Sequence, residues 1–162
     1  AWTVATLRAM ERPLLECGVE LVEQPLAPEH DRSVQRGAYP IPLAADESCQ
    51  SLDDLPRLRD HFDAVVIKLD KSGGLTAALA LHAAARQEGL KTMVSCMIGS
   101  SLGLAPAALL GARCDWVDLD LPVFLAEDRD PAMTLVQGRL GPAPAGLWGS
   151  GQTLRDGAAS RP

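Results

Sequence analysis

The sequence predicts an α/β fold built from parallel strand–helix units. The first observation is that five short apolar runs alternate with longer stretches rich in helix-forming residues. The second is that these runs are almost continuously apolar, which is typical of strands covered on both faces of a sheet. The third is composition, since 162 residues of which 47% are hydrophobic suffice for one domain with a buried core.

Each predicted element has a local signal at its boundary. The strands are the apolar runs, at residues 19–22, 41–45, 64–69, 92–97 and 116–121. The helices precede or separate them, at residues 3–17, 29–37, from 51 onward, 75–88 and 101–111. Gly18 and Gly89 follow two of the helices as stop signals, and Ser51 with Asp54 three residues later marks a helix start. Strands that alternate with helices in this way pair in parallel through right-handed crossovers.

Charge and composition exclude two classes of partner. The chain carries a net charge of −6 and an isoelectric point near 5.0, whereas nucleic-acid binding needs a basic surface. It has no apolar run long enough to span a bilayer, and no export leader is recognisable. The four cysteines have no C-x-x-C spacing and are expected to be reduced thiols. We therefore expect a cytoplasmic protein that binds neither nucleic acid nor membranes.

Charged residues lie at the ends of the predicted strands. Glu23, Asp46, Lys68 and Asp118 follow one another at intervals of 23, 22 and 50 residues, and the long interval skips the strand that ends near Cys96. One strand–helix unit takes up about one such short interval, so the same end of successive strands carries polar groups. In a (β/α) barrel this is the end that carries catalytic groups. The alternative is that strand ends are simply where the chain meets water.

The two carboxylates predict a site for a divalent cation. Glu23 and Asp46 would lie on neighbouring strands, roughly 5 Å apart at the backbone. Two negative charges this close repel each other unless a cation lies between them, and Mg²⁺ prefers oxygen ligands. The alternative is that both carboxylates cap helices.

Lys68 is the candidate acid/base residue. Strand alternation places Ala64, Val66, Lys68 and Asp70 on one face, which predicts that Lys68 points toward the barrel axis. A partly desolvated lysine beside a metal has a lowered pKa and can act as a base near neutral pH. The alternative is a structural ion pair with Asp46 or Asp70. Lys71 is interpreted as a loop or structural residue.

Asp118 and Asp120 are predicted to bind a cationic group of the substrate. They are two residues apart and so point to the same side of the last predicted strand. A pair of carboxylates on one side suits an ammonium group. The alternative is that one faces inward and the other caps the following turn.

Four segments in order along the chain resemble a known family. They are VEQP at 22–25, ADES at 45–48, IKLDKSGG at 67–74 and SCMIGSS at 95–101. Together they resemble the C-terminal part of the enolase superfamily, muconate-lactonizing subgroup. The DLD at 118–120 resembles the dipeptide epimerases of the L-Ala-D/L-Glu type. The resemblance covers about residues 1–150, and residues 151–162 are predicted to be a disordered tail that frays from residue 149.

The resemblance implies a fold and a set of residue roles. The fold is a partial (β/α) barrel of the TIM type, about strands 4–8 of a (β/α)7β barrel. Glu23 and Asp46 resemble the second and third Mg²⁺ ligands, and Lys68 resembles the acid/base lysine. The pair that resembles the ammonium-binding carboxylates is Asp118 and Asp120. The residues after the fourth predicted strand that are expected to contact substrate are Cys96 and Met97.

The activity implied is Mg²⁺-dependent epimerisation of a dipeptide. The α-proton is removed through an enediolate intermediate, and a second acid/base group on the opposite face returns it. Muconate cycloisomerases, o-succinylbenzoate synthases and N-acylamino acid racemases use the same skeleton. The pair Asp118 and Asp120 argues against them, because their substrates lack a free ammonium. A non-catalytic half-barrel remnant is the other alternative. The full-length parent is expected to be a homo-oligomer.

The sequence also departs from the family pattern. Ala1-Trp2 resembles the residue pair directly after the family's first metal ligand, and the final Pro-Gly-Leu-Gly is altered to PAGLWG at 144–149. The resemblance thus accounts for five of eight strands, one of two bases and two of three metal ligands. We expect the chain of 162 residues to be inactive alone. An open sheet with two edges is also expected to self-associate or to need the missing half.

Overall fold

The computed structural model describes residues 1–147. Its α-helices are α1 (Val4–Glu16), α2 (Leu55–Leu58), α3 (Leu69–Ser72), α4 (Leu75–Gln87) and α5 (Ser101–Gly111). Its strands are β1 (Val22–Glu23), β2 (Leu43–Ala45), β3 (Ala64–Lys68), β4 (Lys91–Ser95), β5 (Trp116–Asp118), β6 (Leu135–Val136) and β7 (Arg139–Leu140). Turns of 3-10 helix lie at Pro28–Ser33, Leu52–Asp54 and Leu121–Phe124. The predicted tail 151–162 and the fraying from residue 149 fall outside the described residues.

The central element is a parallel sheet of five strands in the order β1-β2-β3-β4-β5. Chain order and spatial order coincide, as expected when each strand is joined to the next by a right-handed crossover. The sheet curls into a half-barrel. The predicted α/β class, the parallel pairing and the partial barrel are therefore confirmed.

The core is divided between the two faces of this sheet. The larger cluster includes Val65, Ile67 and Val94, which pack against the helices. A smaller cluster on the opposite, concave face consists of Ala44, Ala64, Val66 and Met93. Val65 and Val66 are both fully buried although they point to opposite sides, which explains why the strands are continuous apolar runs. The predicted alternation along β3 is confirmed as far as Lys68.

Several boundaries differ from those predicted. The strands are shorter, and β5 ends at Asp118, so Asp120 lies beyond it. The chain turns into α3 at Leu69, so Asp70 is not on the face of β3 that carries Lys68. This turn ends at Gly73, whose φ of 93° belongs to the left-handed region that favours glycine. The β6–β7 hairpin was not predicted. The capping box at Ser51 and Asp54 is confirmed, although the helix that it starts is only a 3-10 turn followed by α2.

Two aspartates fasten the N-terminal ends of the strands. Asp63 precedes β3, and its carboxylate accepts hydrogen bonds from the N–H groups of Leu43 and Gly37. Asp115 precedes β5 in the same way and accepts a hydrogen bond of 2.9 Å from the N–H of Thr92. Each aspartate therefore joins one strand to its neighbour at the end of the sheet opposite Lys68.

Two further expectations concern membranes and thiols. Within residues 1–147, no helix combines the length and apolar character needed to cross a membrane. Cys17, Cys49 and Cys114 are present as thiols, as the absence of a C-x-x-C spacing predicts.

Candidate active site

The C-terminal ends of the strands bring three of the predicted site residues into contact. Glu23 is the last residue of β1, Asp46 directly follows β2, and Lys68 is the last residue of β3. The Lys68 Nζ atom lies 2.7 Å from Asp46 Oδ2 and 3.7 Å from Glu23 Oε1. Lys68 pairs with Asp46, and the same ammonium also approaches Glu23 at the mouth of the half-barrel. The charged residues at the ends of these three strands therefore form one cluster in the structure.

The Glu23 carboxyl has an unusual proton affinity. Although 34% of its side chain is exposed, partial burial raises the pKa of Glu23 to about 7, and the neighbouring Asp46 adds to this increase. Lys68 opposes the increase, while Asp118 contributes to it. Repulsion between Glu23 and Asp46 is the effect that the sequence predicts for two carboxylates on adjacent strands.

The pKa values of Asp46 and Lys68 both shift in the direction that favours a charged ion pair. Burial by itself would raise the pKa of Asp46, but hydrogen bonds from Lys68 and Lys71 outweigh it and lower that pKa. Burial by itself would lower the pKa of Lys68, but Asp46 and Glu23 outweigh it and raise that pKa. Both carboxylates thus stabilise the charged ammonium, whereas the lowered pKa predicted for Lys68 is that of a lysine beside a metal ion.

Lys71, interpreted from the sequence as a loop or structural residue, belongs to this cluster. It lies in α3, and only 9% of its side chain is exposed. Its ammonium donates to Asp46 Oδ1 at 2.6 Å and to the Asp46 carbonyl oxygen at 2.6 Å. Asp46 therefore accepts hydrogen bonds from two different lysines.

Gln24 joins the loops that follow β1 and β2. Its Oε1 atom accepts hydrogen bonds from the N–H groups of Asp46 at 2.8 Å and Ser48 at 3.2 Å. Its Nε2 atom donates to Leu26 O and to the buried Asp31. The φ angle of Gln24 is 33°, in a region that residues other than glycine rarely adopt. These contacts stabilise the unusual turn directly after Glu23.

A second group of polar residues forms a row across three strands. Lys68 is the register partner of Ser95, and Ser95 is the register partner of Asp118. The buried Ser95 hydroxyl donates to Asp118 Oδ2 at 3.2 Å. The last residue of β3, the last of β4 and the last of β5 therefore lie at one level.

The other predicted substrate-binding residues take different positions. Asp120 is exposed beyond the end of β5, and Leu119 between it and Asp118 is buried against the helices. Cys96 packs against the core of the helix side, and its Sγ atom donates to the Asp118 carbonyl oxygen at 3.8 Å. Met97 is 51% exposed in the loop after β4. Cys96 and Met97 also line one small cleft together with Asp70.

Comparisons with known proteins identify the family. A family model described as Enolase C-terminal domain-like matches residues 1–146. The chain belongs to this enolase C-terminal domain-like family. The resemblance inferred from the four sequence segments is thereby confirmed.

Curated relatives of this enolase-type chain are racemases and epimerases. An N-acetyl-D-glutamate racemase from a Pseudoalteromonas species is 42% identical over 148 residues, covering 91% of this chain and 47% of the relative. The L-Ala-D/L-Glu epimerase of Escherichia coli strain K12 is 39% identical over 140 residues, covering 86% and 44%. The chain therefore spans about half the length of these relatives.

Solved structures of related proteins share the fold of this chain. An enolase family member from Agrobacterium tumefaciens, with homology to dipeptide epimerases and with bound sodium and L-Ala-L-Glu, has a TM-score of 0.86 and 43% identity. The match covers 91% of this chain and 45% of that one. A dipeptide epimerase from Cytophaga hutchinsonii, complexed with Mg and D-Ala-L-Val, has a TM-score of 0.76 and 28% identity over 90% and 42% of the two chains.

The donor set of this enolase-type site fits a hard cation with few protein ligands. Within residues 1–147, no three His, Cys, Asp or Glu side chains lie close enough together to hold a metal ion. Glu23 and Asp46 supply a pair of carboxylates instead, and their mutual repulsion is relieved by positive charge between them. Mg²⁺ commonly binds through one or two carboxylates and keeps several waters, so the pair suits Mg²⁺.

Sequence reasoning missed three residues of this enolase-type site. Gln24, Lys71 and Ser95 all lie inside the segments that carry the family resemblance, where Lys71 is interpreted as a loop or structural residue and the other two are given no role. Ser95 lies inside the predicted strand at 92–97 and could have been found by aligning that strand with Lys68 and Asp118 on its neighbours. Lys71 could not, because its position depends on the turn of α3.

Proposed function

We propose that this chain supplies the acid/base lysine, two metal ligands and the ammonium-binding carboxylates of a Mg²⁺-dependent dipeptide epimerase. The observation that carries the proposal is the approach of Lys68 Nζ to Asp46 and Glu23 at the C-terminal ends of adjacent strands. The kinship to the L-Ala-D/L-Glu epimerase and to dipeptide epimerase structures supports the choice of reaction. The predicted homo-oligomer and cytoplasmic location stay predictions.

Lys68 would exchange the proton at the α-carbon next to the substrate carboxylate. Its Nζ atom, with 14% of the side chain exposed, would approach that carbon from one face and take or return the proton there. Inversion needs a second acid/base group on the opposite face, and none is assigned within residues 1–147. Asp118, held by Ser95, and Asp120 would bind the ammonium of the substrate. Cys96 and Met97 would line the substrate side of the β4 loop.

Glu23 and Asp46 would hold the metal ion. When bound, Mg²⁺ would neutralise the two carboxylates that raise the pKa of Lys68, and would stabilise negative charge on the substrate carboxylate. The sodium and Mg bound in the related structures from Agrobacterium tumefaciens and Cytophaga hutchinsonii support this choice of cation.

The test is exchange of the α-proton of Ala-Glu dipeptides in D₂O with Mg²⁺, followed by NMR. Where the unaltered chain exchanges the proton, Lys68→Met should lower the exchange rate at least about 100-fold, the lower range for loss of a general acid/base group. Lys91→Met is the matched control, because Lys91 lies over Trp116 at the opposite end of β4. Exchange that survives Lys68→Met would contradict the role of Lys68.

A second possible result is that the chain binds Mg²⁺ without exchanging the proton. In that case the expectation of an inactive 162-residue chain is met. The epimerase reaction would then require groups beyond this chain.

Racemisation of an N-acetylated amino acid is the second candidate. The observation that favours it is the 42% identity to the N-acetyl-D-glutamate racemase. Such a substrate has no free ammonium, so Asp118 and Asp120 would have no cationic partner. Supplying N-acetyl-glutamate and L-Ala-L-Glu in parallel separates the two, and Asp118→Asn should impair exchange of the dipeptide alone.

A further inference from the structure

Lys71 makes three hydrogen bonds, two of them with Asp46. Its Nζ atom donates to Asp46 Oδ1 and Asp46 O, each at 2.6 Å, and to Val66 O at 3.3 Å. A lysine ammonium has three N–H donors, so this one is fully engaged. Since only 9% of the side chain is exposed, Lys71 has no donor left for a substrate.

The remaining polar atoms of Asp46 also have defined partners. Its N–H donates to Gln24 Oε1 at 2.8 Å, and its Oδ2 atom accepts from Lys68 at 2.7 Å. Lys71 therefore fixes the carbonyl and one carboxylate oxygen of Asp46, while Gln24 fixes its amide. Oδ2 is the carboxylate oxygen left on the side of Lys68 and Glu23.

The fold explains how two lysines reach one carboxylate from different directions. Lys68 is the last residue of β3, and α3 begins at the next residue, Leu69. Lys71 lies three residues after Lys68, close to one helical turn later. Gly73 then ends the turn with a positive φ. The same short turn thus separates a lysine directed at the site from a lysine directed at the back of Asp46.

We propose that Lys71 is a positioning residue that turns Asp46 Oδ1 away from the site and presents Oδ2 as a single ligand oxygen to the metal ion. This inference rests on the proposed metal-binding function of Glu23 and Asp46. Mg²⁺ demands nearly ideal octahedral geometry. A carboxylate fixed with one oxygen forward would occupy a single, defined position of that geometry. Without Lys71, the Asp46 carboxylate can rotate and offer both oxygens to Lys68.

The test is Mn²⁺ binding to the full chain, measured from the EPR signal of free Mn²⁺. Lys71→Met keeps the length of the side chain but removes its charge and donors. Outer-shell partners of metal ligands are worth about 10–100-fold in affinity, so a weakening of about that size is expected. Lys71→Arg keeps a cation and N–H donors and should retain more of the affinity than Lys71→Met does. Lys91→Met is the matched control and should bind as the unaltered chain does.

Urea unfolding of each variant without metal separates positioning from stability. A purely structural ion pair would lower stability and leave the Mn²⁺ affinity of the folded fraction unchanged, and that result would overturn the inference. If Lys71→Met does not fold, Lys71→Gln replaces it, because its amide can still donate to one Asp46 oxygen. The affinity of Lys71→Gln for Mn²⁺ should fall by less than the factor of about 10–100 expected for Lys71→Met, because one contact with Asp46 is kept, and an unchanged affinity would overturn the inference.

The outcomes also separate this inference from the function on which it rests. No Mn²⁺ binding by the unaltered chain contradicts the metal site and the role of Lys71 with it. Equal binding by the unaltered chain and by Lys71→Met contradicts the role of Lys71 alone. Weaker binding by Lys71→Met with recovery in Lys71→Arg supports it.

Discussion

At the scale of single residues, Glu23 has a charge that depends on pH near neutrality. Its pKa rises from 4.5 to about 7 because its carboxyl is partly buried beside Asp46. A raised folded-state pKa contributes stability that is fully present below about pH 4.5 and is lost as the pH rises through about 7. The protonated form is thus the one that the fold favours.

Glu23→Gln imitates that protonated form. We expect the variant to gain stability over the unaltered chain as the pH is raised from about 5 to about 8, and to match it at about pH 4. Urea unfolding across this range measures the difference. An equal gain at every pH would contradict the titration of Glu23. Asp53→Asn, an exposed carboxylate away from the site, is the control and should show no such trend.

Cysteine reactivity gives a second prediction for single residues. Cys49 is 1% exposed, and burial raises the pKa of its thiol to about 12. Cys17 is exposed at the end of α1. Because the thiolate is the reactive form, iodoacetamide at about pH 8 should label Cys17 and leave Cys49 unlabelled until urea unfolds the chain. Peptide mass spectrometry reads both sites, and rapid native labelling of Cys49 would contradict its burial.

At the scale of elements, the aspartates before β3 and β5 join neighbouring strands by hydrogen bonds to backbone N–H groups. The Asp63 carboxylate accepts two backbone hydrogen bonds, including one of 3.0 Å from Leu43 at the start of β2. Asp63→Ala would leave both N–H groups without that partner. We expect the free energy of unfolding to fall by about 1–3 kcal/mol. Asp60→Ala, at an exposed turn nearby, should change it by less than about 0.5 kcal/mol.

Chemical denaturation of both variants measures this prediction. Equal free energies of unfolding for Asp63→Ala and Asp60→Ala would contradict the prediction. Since Asp63 is at the end of the sheet opposite Lys68, Mn²⁺ binding should be unchanged in the folded fraction of either variant.

The elements also show where sequence reasoning succeeds. The strands could be predicted because both faces of the sheet are covered, so that Val65 and Val66 are equally apolar. The ends of α3 could not, because this turn of Leu69–Ser72 depends on the backbone conformation of Gly73 rather than on an apolar period. The β6–β7 hairpin has only two residue pairs and therefore a weak sequence pattern.

The same limit applies to the site. Glu23, Asp46 and Lys68 could be predicted to meet because strand spacing fixes their level. The role of Lys71 could not, because it depends on the unpredicted turn. Asp46 at 2.7 Å raises the pKa of Lys68, and the lowered pKa predicted for a lysine beside a metal ion stays a prediction.

At the scale of the whole molecule, the described sheet has an edge at β5. Val117, in the middle of this strand, is 54% exposed. Exposed edges with apolar side chains promote association between chains. We expect the chain to associate at micromolar concentrations, and we expect Val117→Lys to shift it toward the monomer.

Light scattering coupled to gel filtration measures this shift. Val136→Lys is the control, because Val136 is 62% exposed on the β6–β7 hairpin, outside the main sheet. A shift of equal size in both variants would show that added charge, rather than the sheet edge, controls association. A monodisperse monomer of the unaltered chain would contradict the prediction.

The row formed by Lys68, Ser95 and Asp118 has a consequence for substrate length. Register pairing separates Lys68 from Asp118 by two strand spacings, or about 10 Å at the backbone. Under the proposed function, a backbone ladder rather than a loop would set the distance between the reacting carbon near Lys68 and an ammonium bound at Asp118. One more residue between them would displace one end by about 3.5 Å. If the proposed function holds, the spacing of the strands would fix how many peptide units fit, while changes in the surrounding loops could alter which side chains are accepted.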